Sequence, residues 1–185
     1  MRWLAYALGA LVALVLLVTV AGALLPRDHV AAVAARIAAP ADTVFATLAD
    51  PAGFASWRVD VRRVELLPAT PTGPAWREHG GSGAVAYAVD AAEPPRRLVV
   101  RITDTGLPYG GAWEYTVEPD GAAASRVTIV ERGSVYNPIF RFVSRLVLGQ
   151  TGTMTAQLRA LGRRFGAEPT PHVVALEAPG GSRGL

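Results

Sequence analysis

The stretch Asn137–Phe165, NPIFRFVSRLVLGQTGTMTAQLRALGRRF, decides how the rest of the chain must fold. Asn137 is a good N-cap, and Pro138 takes the first helical position, where a missing N–H is no loss. At roughly 100° per residue, Val143, Val147, Met154, Leu158, Leu161 and Phe165 fall in one stripe, with Arg141, Arg145, Arg159 and Arg163 on the opposite side. The spacing predicts a single amphipathic helix of about eight turns, long enough to lie across a whole sheet. Gln150 interrupts the apolar stripe near its centre, where a lone amide serves either a buried hydrogen bond or a ligand. Gly149 and Gly152 each cost about 1 kcal/mol relative to alanine inside a helix. Either they loosen it so that its first half can move, or they are tolerated surface positions.

A helix with one apolar face needs a sheet to cover, and the residues before it supply one. From Val59 onward the hydrophobic period is 2. Strands are predicted at Val59–Leu67, Ala75–Gly80, Ala84–Ala91, Leu98–Thr105, Ala112–Glu118 and Ser125–Arg132, with turn signals such as Gly80-Gly81-Ser82-Gly83 and Pro119-Asp120-Gly121 between them. His29–Ile37 reads as a first strand. A short helix follows, with Val44, Phe45 and Leu48 on one face and Asp42 suiting the dipole of its first turn. Asp50-Pro51 ends it, and Ala52–Trp57 reads as a second short helix. An antiparallel meander with one apolar face must bury that face, and the closing helix is the large cover available. The expected class is α+β, a curved antiparallel sheet wrapped around a long C-terminal helix.

Composition narrows the chemistry. All 18 basic residues are arginine, which excludes a Schiff-base lysine and a P-loop lysine. With no cysteine there is no disulfide, thiol nucleophile or thiolate metal site. Between Asp28 and Gly166 fifteen arginines face thirteen acids, too balanced a count for a nucleic-acid footprint. His29, His79 and His172 lack metal-ligand spacing, and no glycine run matches a dinucleotide fingerprint, so no metal and no cofactor is expected.

Trp3–Leu25 is a run of 23 residues without a charge, enough to span a bilayer as one helix. The competing reading is a cleaved signal peptide, since Ala21-Gly22-Ala23 has the A-x-A form. The apolar run exceeds the usual signal core and favours a retained single-pass anchor. Arg2 on the short side and Arg27 and Arg36 beyond nearly balance, leaning toward an extracytoplasmic domain. The organisation expected is an anchor at 1–27, one domain at 28–166 and a disordered tail at 167–185. The arginine face of the closing helix then either rests on anionic headgroups or stands in water.

The run Ala39-Pro40-Ala41-Asp42-Thr43-Val44-Phe45, then Leu48-Ala49-Asp50-Pro51 and Phe54-Ala55-Ser56-Trp57, resembles the START-like, helix-grip (SRPBCC) superfamily. The match is in particular to its polyketide cyclase/dehydrase and lipid-transport-like group. Glu93-Pro94-Pro95-Arg96-Arg97-Leu98, the strand Gly111-Ala112-Trp113-Glu114-Tyr115 and the closing helix extend the resemblance over about Val30–Gly166. It implies a helix-grip fold with a ligand cavity between sheet and helix. It does not choose among the superfamily's cyclases, hydroxylase subunits, receptors and lipid carriers.

Strand parity names candidates for that cavity. The concave face is expected to carry Trp76, Glu78, Tyr87, Val100, Ile102, Asp104, Trp113, Tyr115, Ile129 and Glu131, with Val143, Val147, Gln150 and Met154 above them. A carboxylate in an apolar cavity has a raised pKa and can act as acid or base, which makes Glu131 and Glu78 the candidate general bases. The plainer reading pairs Glu78, Asp104 and Glu131 with arginine or solvent and makes the aromatics core. Three function classes follow. The first is a membrane-tethered domain binding a lipid, isoprenoid or polyketide-like molecule. The second is a cyclase or dehydratase using a cavity carboxylate. The third is a structural or regulatory module, expected if Trp76, Tyr87, Trp113 and Tyr115 fill the cavity.

Overall fold

The computed structural model describes residues 2–81 and 83–176, apart from the side chains of Val147 and Leu148. Helix α1 (Arg2–Leu24) is followed by β1 (Asp28–Ile37), α2 (Ala41–Leu48) and a 3-10 turn at Pro51–Ser56. Six strands come next: β2 (Val61–Thr70), β3 (Gly73–Gly80), β4 (Gly83–Glu93), β5 (Arg97–Ile102), β6 (Tyr109–Pro119) and β7 (Ser125–Val135). All neighbouring pairs are antiparallel. Strand β1 pairs with β7 along its whole length, Asp28 opposite Ser134 and Ile37 opposite Ser125, which brings the start of the domain against its last long strand. The sheet order is β2-β3-β4-β5-β6-β7-β1-β8, where β8 is the two-residue strand His172–Val173.

The closing helix is not continuous. It divides into α3 (Pro138–Val143), a π turn at Ser144–Leu148 and α4 (Gly152–Arg164). Asn137 caps α3 as expected, its side chain accepting from the Phe140 N–H at 3.0 Å. The break falls at Gly149, which has φ +74° and ψ 168°, a conformation essentially reserved for glycine. Beyond it α4 buries Met154, Leu158 and Leu161 against Val33, Ile37, Val127 and Ile129 of the sheet and Val44, Phe45 and Leu48 of α2.

The single arginine face dissolves with the single helix. Arg141 is 4% exposed. Its guanidinium donates to the carbonyls of Val135 (3.0 Å), Tyr136 (3.2 Å), Gly22 (3.1 Å) and Leu25 (3.0 Å). Arg159 and Arg163 face Glu168 at 3.8 and 3.5 Å, while Arg145 is exposed. Where α1 ends, its backbone at Gly22 lies so close to the Pro138 carbonyl that any larger residue would collide.

Helix α1 is 23 residues long and almost wholly exposed, and by length and composition it can cross a membrane. At the other end, residues 167–176 differ from the expected disordered tail. The chain folds back on Gly162 through the Ala167 N–H, and β8 (His172–Val173) pairs with Ala34 and Val33 at the open edge of β1. An otherwise unpaired strand edge explains that capture. Residues 177–185 of the expected tail lie outside the described residues.

Candidate functional site

Sheet, α2, the 3-10 turn and the broken closing helix enclose a cavity of about 820 Å³, within the usual range for a small-molecule site. Its walls are largely aromatic and aliphatic: Phe54, Trp76, Tyr87, Val100, Ile102, Tyr109, Trp113, Tyr115 and Phe140. Trp76 stacks on Tyr87 with ring centroids 5.8 Å apart and meets Phe54 edge-on at the same distance. Trp113 and Tyr115 pack edge-on at 6.2 Å. Trp76, Tyr87, Trp113 and Tyr115 line the space and leave it open.

Two polar groups stand in these walls. One centres on Arg58, between the 3-10 turn and β2. Its Nη1 donates to Glu78 Oε1 at 2.8 Å and its Nη2 to Asp60 Oδ2 at 2.6 Å, and its guanidinium lies 5.3 Å from the Phe54 ring centroid. The Trp76 indole also donates to Glu78 Oε1, at 3.0 Å. Arg58 and Glu78 are each 10% exposed in their side chains. Burial works against the charge on Arg58, but the bonds to Asp60 and the field of Glu78 outweigh it and raise its pKa. Burial also pushes Asp60 up, and the Arg58 guanidinium overcomes that and holds it below the usual carboxylate range. Next to this group the Gln157 amide donates to the Tyr115 hydroxyl at 3.0 Å. Burial raises the pKa of Tyr115 and of Tyr87, so both phenols keep their protons.

The second group pairs Glu131 with His29. Their nearest atoms, Oε1 and Nε2, are 3.7 Å apart. Ala31 lies opposite Glu131 and His29 opposite Gly133, so the two side chains are diagonal neighbours across β1 and β7. Gly133 makes that possible, because a Cβ there would strike the His29 ring. Burial raises the Glu131 pKa, with His29 and the Trp113 indole acting the other way.

Of the residues expected around the cavity, Trp76, Glu78, Tyr87, Val100, Ile102, Trp113, Tyr115, Glu131 and Gln150 lie on its wall. Ile129 and Met154 share the expected faces but are sealed in the core beneath α4. Asp104 is elsewhere: β5 stops at Ile102, so parity no longer applies, and the carboxylate accepts from the Ala86 N–H at 2.7 Å and faces Arg77 at 3.7 Å. Val143, at the end of α3, is not on the wall; its neighbours Phe140 and Ser144 take that face of the helix. The Val147 side chain lies outside what is described. Glu78, fixed by Arg58 and Trp76, is an ion-pair partner and not a free base.

Arg58, Asp60, His29 and Gln157 escape the sequence reading. Gln157 left a signal: counting from Met154, it falls with Leu158 and Leu161 at i, i+3, i+4 and i+7. The other three gave none, since Arg58 and Asp60 sit outside any periodic element and His29 meets Glu131 only through pairing across a hundred residues. Among the described residues no group of three or more His, Asp or Glu is placed to hold a metal ion.

Solved structures share the fold. A START superfamily protein from Mycobacterium smegmatis aligns with a TM-score of 0.63 at 16% identity, covering 74% of this chain and 96% of its own. The Zhui aromatase/cyclase from Streptomyces sp. R1128 aligns at 0.60 and 17% identity, covering 74% and 93%. Norcoclaurine synthase from Thalictrum flavum, in complex with dopamine and hydroxybenzaldehyde, aligns at 0.59 and 14%, covering 75% and 86%. No curated protein matches the sequence. The profile of the family described as polyketide cyclase / dehydrase and lipid transport matches residues 28–166, and the chain belongs to that family.

Proposed function

We propose that the domain binds a hydrophobic small molecule in its cavity and that α1 holds it at a membrane as a single-pass anchor. The observation that carries the binding reading is the roughly 820 Å³ of aromatic-walled space left between the sheet and the broken closing helix. Such concave, mostly apolar spaces with a few placed polar groups are the usual sites for small ligands. The anchor reading rests on Arg141, whose guanidinium caps the end of α1 through the Gly22 and Leu25 carbonyls. Cleavage after the Ala-Gly-Ala run would remove Gly22 from a guanidinium that is otherwise buried. At 23 residues α1 is roughly 35 Å long, against a hydrocarbon core of about 30 Å. Arg2 at its start supports an extracytoplasmic domain, which protease accessibility in right-side-out vesicles tests.

The binding reading is tested by native mass spectrometry of the full chain purified from membranes and exposed to several lipid extracts. A bound apolar molecule near one per chain is expected; a cavity empty under every condition overturns it. Glu131 favours a second, catalytic reading, because its raised pKa and its His29 neighbour suit proton transfer to a ligand beside them. In that case Glu131→Gln retains the captured molecule but stops its conversion. Identical ligand masses from wild type and variant would remove the catalytic reading.

A further inference from the structure

The cavity holds its cations in an unusual way. Among the described residues, three positively chargeable side chains stand on its wall: Arg58, Arg62 and His29. Arg62 is exposed at the rim. Arg58 is held by Glu78 at 2.8 Å inside the cavity and by Asp60, itself exposed, at 2.6 Å, so its charge is already met. His29 stands against Glu131. Among the described residues, both inward cations of the cavity, Arg58 and His29, therefore already face a carboxylate. An anionic headgroup brought inside would leave water for a site without a free positive partner and with Glu78 and Glu131 nearby. Burying a charge unpaired is strongly unfavourable.

Neutral oxygens meet the opposite situation. The Tyr115 hydroxyl accepts from Gln157, which leaves its own proton free to donate. The Glu131 carboxyl, beside the Trp113 indole on the paired position of β6, offers a further acceptor on the same wall. We propose that the cavity selects an uncharged amphiphile, a hydrocarbon-bodied alcohol or ketone, and discriminates against the carboxylate of the same skeleton. This rests on the reading that the cavity takes an apolar body, and deepens it by assigning the polar end.

The test uses one skeleton in two charge states. The full chain is placed in lipid nanodiscs at pH 8 and titrated with all-trans-retinol or all-trans-retinoic acid. Quenching of tryptophan emission reports binding, since Trp76 and Trp113 line the cavity, and empty nanodiscs correct for partition. Retinol is expected to bind about tenfold or more tightly than retinoate, the cost of an unpaired buried charge. Glu78→Gln and, separately, Glu131→Gln each remove one negative charge and are expected to narrow that ratio at least about threefold. The second variant keeps the test alive where the first disturbs folding. Retinoate binding as tightly as retinol, or a preference unchanged by both substitutions, overturns the proposal. If neither probe binds, the apolar-body reading itself falls, which is a different result from binding without discrimination.

Discussion

Arg141 offers the sharpest test of how the first helix is attached. The sequence places this residue on an outer arginine face, against headgroups or in water; the structure buries it and turns its guanidinium onto four backbone carbonyls. Arg141→Met keeps much of the apolar stem and removes every donor. The Gly22 and Val135 acceptors are buried and lose their partner outright, whereas those of Leu25 and Tyr136 are partly reached by solvent. A buried group left unsatisfied costs about 1–3 kcal/mol, so the two together come to about 4 kcal/mol. For a chain of this size each kcal/mol moves the melting point by about 2–4 °C. The expected fall is therefore about 8–16 °C, read from thermal unfolding of the full chain in a mild detergent.

The same variant should also expose the junction between α1 and β1 to protease, because two of the four bonds hold that junction. Gly22→Val separates the two roles: it forces α1 away from the Pro138 carbonyl without touching the bonds to Val135 and Tyr136. Junction cleavage should rise to a similar extent in both variants, with the smaller loss of melting temperature in Gly22→Val. A melting point within about 2 °C of wild type and an unchanged cleavage pattern for Arg141→Met would refute the idea that this arginine fastens α1 to the domain.

Three further outcomes follow from the cavity wall and the helix break. Arg58→Met strands Glu78 in a buried position and should lower stability by about 3–5 kcal/mol, with part of the loss recovered when Glu78→Gln is added; no recovery would argue against the pairing. Glu131 has its pKa raised by burial, so its ionisation disfavours the fold and the favourable, protonated contribution is lost as pH rises through the folded pKa. Glu131→Gln should thus melt higher than wild type above that pKa, with the gap closing as pH falls below the unfolded carboxyl value; a gap independent of pH would contradict the assignment. Gly149→Ala must adopt φ +74° and should lose about 1–3 kcal/mol, visible as a lower melting temperature, whereas a neutral substitution would mean that the break is not held by this residue.

The sheet was legible because its information is local. Period-2 alternation and turn signals located all six strands from β2 to β7 with ends displaced by at most three residues, as where Ala112–Glu118 extends to Tyr109–Pro119. The helix after β1 was equally clear, since Val44, Phe45 and Leu48 are all buried as its pattern requires. Most of the residues that parity names, from Trp76 on β3 to Glu131 on β7, stand on the cavity wall. It failed where a strand ended, at Asp104, and it could not show what lies across the cavity. The partners that decide the chemistry meet through register: Arg58 reaches Glu78 from a loop, and His29 reaches Glu131 from the far end of the domain. No window of sequence contains both members of either pair.

The closing helix shows a different kind of failure, one of length against space. A continuous helix over Asn137–Phe165 would be about 43 Å long, whereas the longest strands, of eleven residues, reach about 37 Å. Its first turns also have a separate task, since Pro138 and Arg141 dock on the end of α1. One straight rod cannot both serve that site and lay Met154, Leu158 and Leu161 on the sheet, so the chain must change direction between the two. Gly149 is where the turn is least costly, because its backbone conformation is one that side chains resist. The glycines that weakened the helix prediction thus mark its division, and they have a consequence for the cavity. Gly149, Gln150, Gly152 and Thr153 all stand on the cavity wall, at the point where an unbroken helix would have presented packed side chains. The interruption that frees α3 to meet α1 also lines the open space between α3, the start of α4 and the sheet.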